Sequence, residues 1–464
     1  MAGIDTRIVI IGLPTIAREL GANLETVIWV TQAYILASTI GLLLIGRVTD
    51  VVGRVKIYNL GFVIFTIGSA LSAFSFSAGQ LIASRVVQGV GSAMLITNSA
   101  AILTDSSPKN ELGTMLGINQ IAFRVGSVLG LTLSGVILAI TDWRALFYIN
   151  IPIGIFGTWW AHRRLREIGT KDVARKMDWE GFILFTSGLT LVLLSITFLS
   201  YGFSDIQYGI ALIVAGFASL LLFIREETRK ETPLLDLRLF KIREFAAGNL
   251  AQLMNALAWS GAILLTSFYL QVVLLDSPLK AGLSILPLDA TFVIVGPLSG
   301  RLSDKYGPRL LSTIGLALSS AGFFLLSTIT STTTYPVLGL VFAFLGIGNG
   351  MFVSPNISAI MGSVPANRRG IASAFRTTTF NIGLTASAGI AVLLLSLVVP
   401  YNTLTGLITG VTTSLSANAG AQFLSGFKTA VLVLAILNTI GVIPSALRGT
   451  RKPAERLKSE EVTE

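Results

Sequence analysis

Cysteine is missing from this 464-residue chain, histidine occurs once, at His162, and charged side chains make up only 12 % of it. Without cysteine there is no disulfide, no thiolate nucleophile and no sulfur ligand for a metal. One histidine cannot build a metal site without companions, so neither a metal nor a cofactor is expected. His162 stands beside the basic run RRLR and reads as an interfacial side chain. No Gly-x-x-x-x-Gly-Lys-Ser/Thr loop occurs, and no polar stretch between apolar runs is long enough for an ATPase domain. Nucleotide hydrolysis, and enzymatic activity generally, are therefore not expected.

What fills the chain instead is hydrocarbon. Hydrophobic residues make up 52 % of it and the mean hydropathy is +0.76, whereas a soluble domain carries about a quarter charged residues. Runs such as LLSTIGLALSSAGFFLLSTI approach 20 residues, enough to cross a hydrocarbon slab of roughly 30 Å as a helix. None alternates as the strands of a membrane β-barrel do. We expect an all-α membrane protein with fourteen spans, near 2–17, 27–46, 57–76, 80–103, 112–140, 145–162, 179–200, 208–224, 245–274, 281–300, 309–329, 336–362, 371–399 and 427–447. The segment 400–426 reads as a polar external loop. The opening run shows neither a basic leader nor a small-residue cleavage site, so no cleaved signal peptide is expected.

The chain is basic, with a formal charge of +10, and the placement of that charge decides what it means. Twenty-six of the 34 Lys and Arg fall in one alternate set of loops and in the tail from 448. Four (Arg18, Arg144, Lys280 and Lys428) fall in the opposite set, and four (Arg7, Arg85, Arg124 and Arg376) lie within helices. This is the asymmetry of a topology signal, not of a nucleic-acid surface. It puts both termini in the cytoplasm of a cell membrane, a prokaryotic one by expectation.

An internal repeat organises the runs. GRVTDVVGRVK (46–56) returns as GRLSDKYGPRL (300–310), an offset of 254, and GVGSAM (89–94) returns as GIGNGM (346–351), an offset of 257. Pro108 with Pro365, and Gly113 with Gly370, keep the second offset. The expected organisation is a six-helix bundle over 1–162, a linker with two inserted helices over 163–243, a second six-helix bundle over 244–447, and a cytoplasmic tail over 448–464. Parallel halves of six helices are a transporter plan.

The motifs sharpen this plan. The loop pattern Gly-x-x-x-Asp-x-x-Gly-Arg-x-Lys stands complete at Gly46, Asp50, Gly53, Arg54 and Lys56, and recurs at Gly300, Asp304, Gly307 and Arg309. Helix 4 carries Arg85, Gln88, Gly89 and Gly91 in an Arg-x-x-Gln-Gly-x-Gly pattern, and helix 2 carries Trp29 and Tyr34 in a Trp-x-x-x-x-Tyr pattern. With these residues the chain resembles the major facilitator superfamily and, more narrowly, its fourteen-helix drug:proton antiporters. The resemblance implies the major facilitator fold and assigns the two loops to a cytoplasmic gate, with Asp50 facing the N-terminus of the next helix and Arg54 pairing with acids. It assigns Arg85 and an acid of helix 1, Asp5, to proton coupling. Helix 5 keeps the small residues Gly126, Gly130 and Gly135 of the antiporter pattern, for close helix packing, but has Leu131 in place of its proline and Ser134 in place of a glycine. In helix 1, Asp5, Ile8, Val9, Leu13 and Pro14 match the family, while Arg7 and Ile10 replace a threonine and an asparagine.

Asp5 and Arg7 point about 200° apart on a helix, so they are poor partners for each other, and Asp5 is expected to face Arg85 or the cavity. Only four residues precede Asp5. The expectation is either a longer natural N-terminus, which is preferred, or a short first helix leaving Asp5 weakly buried at the cytoplasmic edge. An isolated acid within a membrane helix is a site candidate, which singles out Asp289 in helix 10. Cavity candidates beside it are Arg7, Arg124, Arg376, Gln32, Tyr34, Asn98 and Asn119, with Gln120, Asn255, Asn349, Asn356 and Asn381 as further polar positions. Trp29 reads as an interfacial anchor. Four intramembrane arginines against two acids favour an anionic or zwitterionic substrate over a lipophilic cation. The leading expectation is a monomeric, proton-coupled exporter of drug-like or amphipathic small molecules, in contact with membrane lipid. Alternatives are an exporter or flippase of an anionic lipid or organic anion without proton coupling, and a non-transporting membrane sensor or scaffold.

Overall fold

A computed structural model describes the chain except for residues 107–111, 168–177, 201–205, 231–236, 365–368, 401–402, 405, 408–416 and 450–464. Among the described residues there are fifteen α-helices and no strand. In chain order they are α1 (Ala2–Leu20), α2 (Leu24–Val52), α3 (Arg54–Ala73), α4 (Ala78–Ser106), α5 (Leu112–Ile140), α6 (Ala145–Tyr148), α7 (Asn150–Arg164) and α8 (Trp179–Ser200). There follow α9 (Ile206–Arg229), α10 (Arg243–Phe268), α11 (Pro278–Tyr306), α12 (Pro308–Ser327), α13 (Tyr335–Gly362), α14 (Arg369–Ser396) and α15 (Ala417–Leu447). A π-helical turn, Tyr269–Val273, extends α10. Eleven helices among the described residues are long and apolar enough to cross a membrane. The chain is thus a multi-pass helical protein, and a span count of fourteen is not fixed by length and hydropathy.

Two elements depart from the sequence expectation for identifiable reasons. The single run expected over 145–162 is broken between α6 and α7 at Ile149. Pro152 has no N–H to offer the Tyr148 carbonyl four residues back, so the ladder is interrupted there. The expected external loop over 400–426 gives way at Ala417, where α15 begins. Phe423 and Phe427, one turn apart, are fully buried, and Phe427 lies 5.2 Å from the ring of Tyr269. Packing extends the helix past the point where hydropathy alone would start it.

The chain divides into two compact units. The first comprises Met1–Leu235, Ser260–Leu283 and Leu384–Phe427, and the second Asp236–Trp259, Ser284–Gly383 and Lys428–Glu464. In the first, α3 and α4 approach through small residues: a Cβ at Gly91 would meet the Phe65 backbone, 2.8 Å from its Cα. In the second, α12 and α13 do the same, a Cβ at Gly348 standing 2.8 Å from the Cα of Ser319. Gly348 is Gly91 shifted by 257 positions and Ser319 is Phe65 shifted by 254, so the sequence repeat is a repeat of this contact. Pro108 and Pro365, which share the offset, lie outside the described residues. Helix pairs in lipid associate through close backbone approach of this kind.

Candidate functional site

In the first unit, α1, α4 and α7 converge on Asp5. The carboxyl sits in the first turn of α1 and is nonetheless 0 % exposed. Arg85 Nη1 lies 2.5 Å from Asp5 Oδ2. Gln88 Nε2 donates to Oδ1 at 2.8 Å and Asn150 Nδ2 donates to the same oxygen at 3.0 Å. Arg85 and Gln88 are three residues apart, so both reach from one face of α4. Asn150 is the first residue of α7, and the break at Ile149 sets its position.

The guanidinium is itself enclosed. Its Nε donates to the Val30 carbonyl at 3.1 Å, and Nη1 also lies 2.6 Å from Gln88 Oε1. The Tyr34 ring lies 4.2 Å below Cζ, with the Phe147 ring at 5.7 Å. Tyr34, expected to line a cavity, is instead a buried floor for the cation, and its hydroxyl donates to Ser92 Oγ at 2.8 Å. Gln88 Nε2 also donates to Ser69 Oγ at 2.7 Å. Among the described residues Arg85 Nη2 has no hydrogen-bond partner and is buried. Two charges removed from water are held here by mutual attraction and by amides. Breaking such a pair from one side costs about 3–5 kcal/mol.

The charge of Asp5 and the hold on Arg85 depend on each other. A proton on Asp5 removes the anion that compensates Arg85 and turns one acceptor oxygen into a donor facing other donors. Gln88 belongs to the helix 4 motif, whereas Asn150 and Ser69 were not singled out from the sequence. Asn150 carried a signal, as an amide side chain in an apolar run.

The two gate-motif loops turn on glycine. Gly53 has φ 119° and Gly307 has φ 84°, conformations open to glycine at little cost. The amides of Arg54 and Val55 at the start of α3 were expected to face Asp50. They donate to the Glu167 carboxylate, at 2.8 Å to Oε1 and 3.1 Å to Oε2. The side chain of Asp50 lies outside the described residues, as do those of Arg124, Asp304 and Gln120. Glu167 gave no local signal, being an acid at the end of a basic run. Lys56 and Arg309 are exposed, and Arg54 is half-buried. Gly46 lies against Thr97 and Gly300 against Ser354.

The remaining candidates scatter. Gly126 and Gly130 lie against the backbone of Ile4 in α1, and Gly135 against the backbone of Pro278 and Leu279, so helix 5 does pack through its small face. Gln32 Nε2 reaches the Thr385 carbonyl at 3.4 Å. Asn98 turns back to the Met94 carbonyl of its own helix at 2.8 Å, and Asn119 donates to Ser99 Oγ at 3.3 Å. Arg7 is half-buried. Trp29 is half-buried, and its indole nitrogen donates to Thr197 Oγ1 of α8 at 3.0 Å. In the second unit Asp289 and Arg376 are both buried. Asn255 donates to Asn438 Oδ1 and Asn356 to the Gly248 carbonyl. No group of three metal-ligating side chains occurs among the described residues.

Comparison with known proteins follows the same lines. The sequence profile described as Major Facilitator Superfamily matches residues 1–388. The chain is 31 % identical over 382 residues to the riboflavin transporter RibZ of Clostridioides difficile (strain 630), covering 82 % of each protein. It is 29 % identical over 395 residues to the multidrug efflux pump LfrA of Mycolicibacterium smegmatis, covering 82 % of this chain and 76 % of that one. Among solved structures, a bacterial homologue of the human lysosomal transporter Spinster, inward-facing and unoccupied, superposes with a TM-score of 0.63 at 15 % identity. That match covers 96 % of this chain and 94 % of the other, and it shows the fold.

Proposed function

The chain belongs to the major facilitator superfamily, and on that premise we propose that it is a proton-coupled exporter of amphipathic small molecules in the cell membrane, of the fourteen-helix antiporter type. Three things support the narrower type: the complete gate and helix 4 motifs, the inserted pair α8 and α9, and the likeness to an efflux pump. The lopsided distribution of Lys and Arg supports cytoplasmic termini.

The observation that carries the coupling is the buried contact between Asp5 and Arg85. In the proposed cycle Asp5 takes a proton from the outside, lets go of Arg85, and gives the proton up inside once substrate has left. Gln88 and Asn150 hold the carboxyl in register for the guanidinium while it is ionised. The protein reconstituted in liposomes should expel a fluorescent substrate in response to an imposed pH gradient. Asp5→Asn, which keeps the shape and cannot ionise, should lose about 10- to 100-fold of that gradient-driven rate, the scale of a lost charge-assisted hydrogen bond. Gradient-driven transport equal to wild type in this variant would overturn the reading.

A further inference from the structure

Arg376 has no assigned work. It stands in α14 of the second unit, at the start of the apolar stretch Phe375–Ser396, and is 9 % exposed. An arginine that snorkels out of an apolar helix end would place its head in water, and this one does not. Its Nη2 reaches Thr377 Oγ1 at 3.3 Å, and its Nε is buried without a hydrogen-bond partner. Among the described residues no acidic side chain forms an ion pair with it. Gln252 of α10 donates to the Arg376 carbonyl at 2.8 Å, which fixes the backbone from which the side chain projects. A guanidinium cannot shed its charge at physiological pH, and burying one without an acid among the described residues to compensate it is costly.

The repeat says that the fold does not ask for this charge. At the offset of 257, INQIAFRVG (118–126) of α5 aligns with FRTTTFNIG (375–383) of α14. Asn119 stands where the second copy has Arg376, and Arg124 stands where the second copy has Asn381. The phenylalanine and the glycine of the two stretches are shared, at Phe123 and Phe380 and at Gly126 and Gly383. The amide at the Arg376 level in the first copy is satisfied by a neutral hydroxyl, Ser99. The common scaffold therefore needs a polar side chain at this level, and a cation there answers some other demand.

We infer that Arg376 is the anchor for an oxyanion, a carboxylate or phosphate carried by the amphipathic substrate. The inference rests on the export reading and names the substrate's charge. A guanidinium offers two parallel N–H donors that match the two oxygens of such a group. A bound anion would compensate the buried charge, so binding recovers part of the cost of burying it. The same group occurs on a soluble organic acid and on a phospholipid headgroup.

Liposomes containing the purified protein separate these cases. Three probes are compared: carboxyfluorescein as the organic anion, ethidium as the cation, and NBD-labelled phosphatidylglycerol as the anionic lipid. Wild type should move one of the two anions in preference to ethidium, and which one identifies the source. Arg376→Gln should lower the anion-to-ethidium ratio of kcat/KM by about 100-fold, and Arg376→Lys should restore part of it, since a charge-assisted hydrogen bond is at stake. Because the ratio is taken within one preparation, loss of folded protein cancels from it. A ratio untouched by Arg376→Gln, or a wild type that moves ethidium alone, overturns the inference. An unchanged ratio with Asp5-dependent gradient drive leaves proton-coupled export standing. A shifted ratio in a protein whose Asp5→Asn variant still responds to the gradient removes the coupling and leaves the anion site.

Discussion

Helices α4 and α13 are copies of one another in the sequence, and they bury opposite things. Both lie against their preceding neighbour through a glycine, Gly91 on Phe65 and Gly348 on Ser319. One turn and a half before that glycine, α4 carries Arg85 and then Gln88, while the second copy carries Phe342 and Leu345 at the matching positions. All four are buried. The shared element is the packing surface, and the charge is an addition to one copy. A duplicated scaffold can thus hold its shape in both halves with a hydrocarbon plug in one and an ion pair in the other. Packing explains the repeat, and the departures from it mark what the protein does.

The sharpest way to break this comparison is to remove one charge from the copy that has it. Arg85→Met should destabilise the protein by about 3–5 kcal/mol, because Asp5 is left buried and alone. The double variant Asp5→Asn/Arg85→Met should recover more than half of that loss and come to resemble the apolar second copy. Denaturant unfolding of the four proteins of the cycle in detergent measures it. Independent, additive losses would mean that the contact between Asp5 and Arg85 is not an energetic unit.

A smaller effect sharpens the same contrast at the gate loops. In the first copy Glu167 accepts two amide protons at the start of α3, whereas α12 opens on Pro308, whose ring nitrogen has no proton to give. Glu167→Gln should cost about 0.5–2 kcal/mol through loss of the cap and its charge on the helix terminus. Hydrogen exchange of the Arg54 and Val55 amides should quicken, while the first amides of α12 keep their wild-type rates. Equal protection before and after the substitution would show that the carboxylate is not what holds the turn.

The smallest effect lies in the inserted pair, which belongs to neither copy. Where α8 and α9 leave the apolar region, Lys230 Nζ lies 2.7 Å from Asp178 Oδ1 and 3.1 Å from Glu180 Oε2. Burial pushes the Asp178 carboxyl up, but hydrogen bonds from Lys230 and the Gly181 amide, an interaction with Glu227 and the Lys230 charge together bring it below the ordinary carboxylate value. Burial likewise lowers Lys230, and its two carboxylate partners outweigh that and raise it above 10.5. The carboxylate's contribution is therefore full above the ordinary carboxylate pKa and fades as pH falls through the lowered one. The lysine's contribution is full below 10.5 and fades only at more alkaline pH. Across neutral pH the clasp should be constant, and melting curves from pH 7 to pH 3 should show a small acid-side loss that Lys230→Gln diminishes. An identical acid-side slope in that variant would remove the clasp from the account.

Much of the site was legible because its signals are local. Asp5 and Arg85 are charges in apolar runs, and the two gate loops announce themselves by glycine spacing. What the sequence concealed was the identity of distant partners. Asn150 reaches Asp5 across 145 residues and Glu167 reaches Arg54 across 113, and no periodicity encodes such meetings. The same reason explains Trp29, whose partner Thr197 lies 168 residues away on α8. The fold was legible from hydropathy wherever a run was unbroken. It was misread at 145–162, where one proline splits the run, and at 417–426, where buried phenylalanines prolong a helix into a polar stretch.

The acid that caps α3 sits just beyond the end of α7, on the stretch of chain that leads to α8. The first turn of α3 and that stretch are thus buttoned together by two amide protons. Whatever tilts the start of α3 must tug the chain at the end of α7 or undo the button. A chain devoid of native thiols makes that button easy to watch: single cysteines at 55 and 167 accept a matched pair of dyes with no background to engineer away.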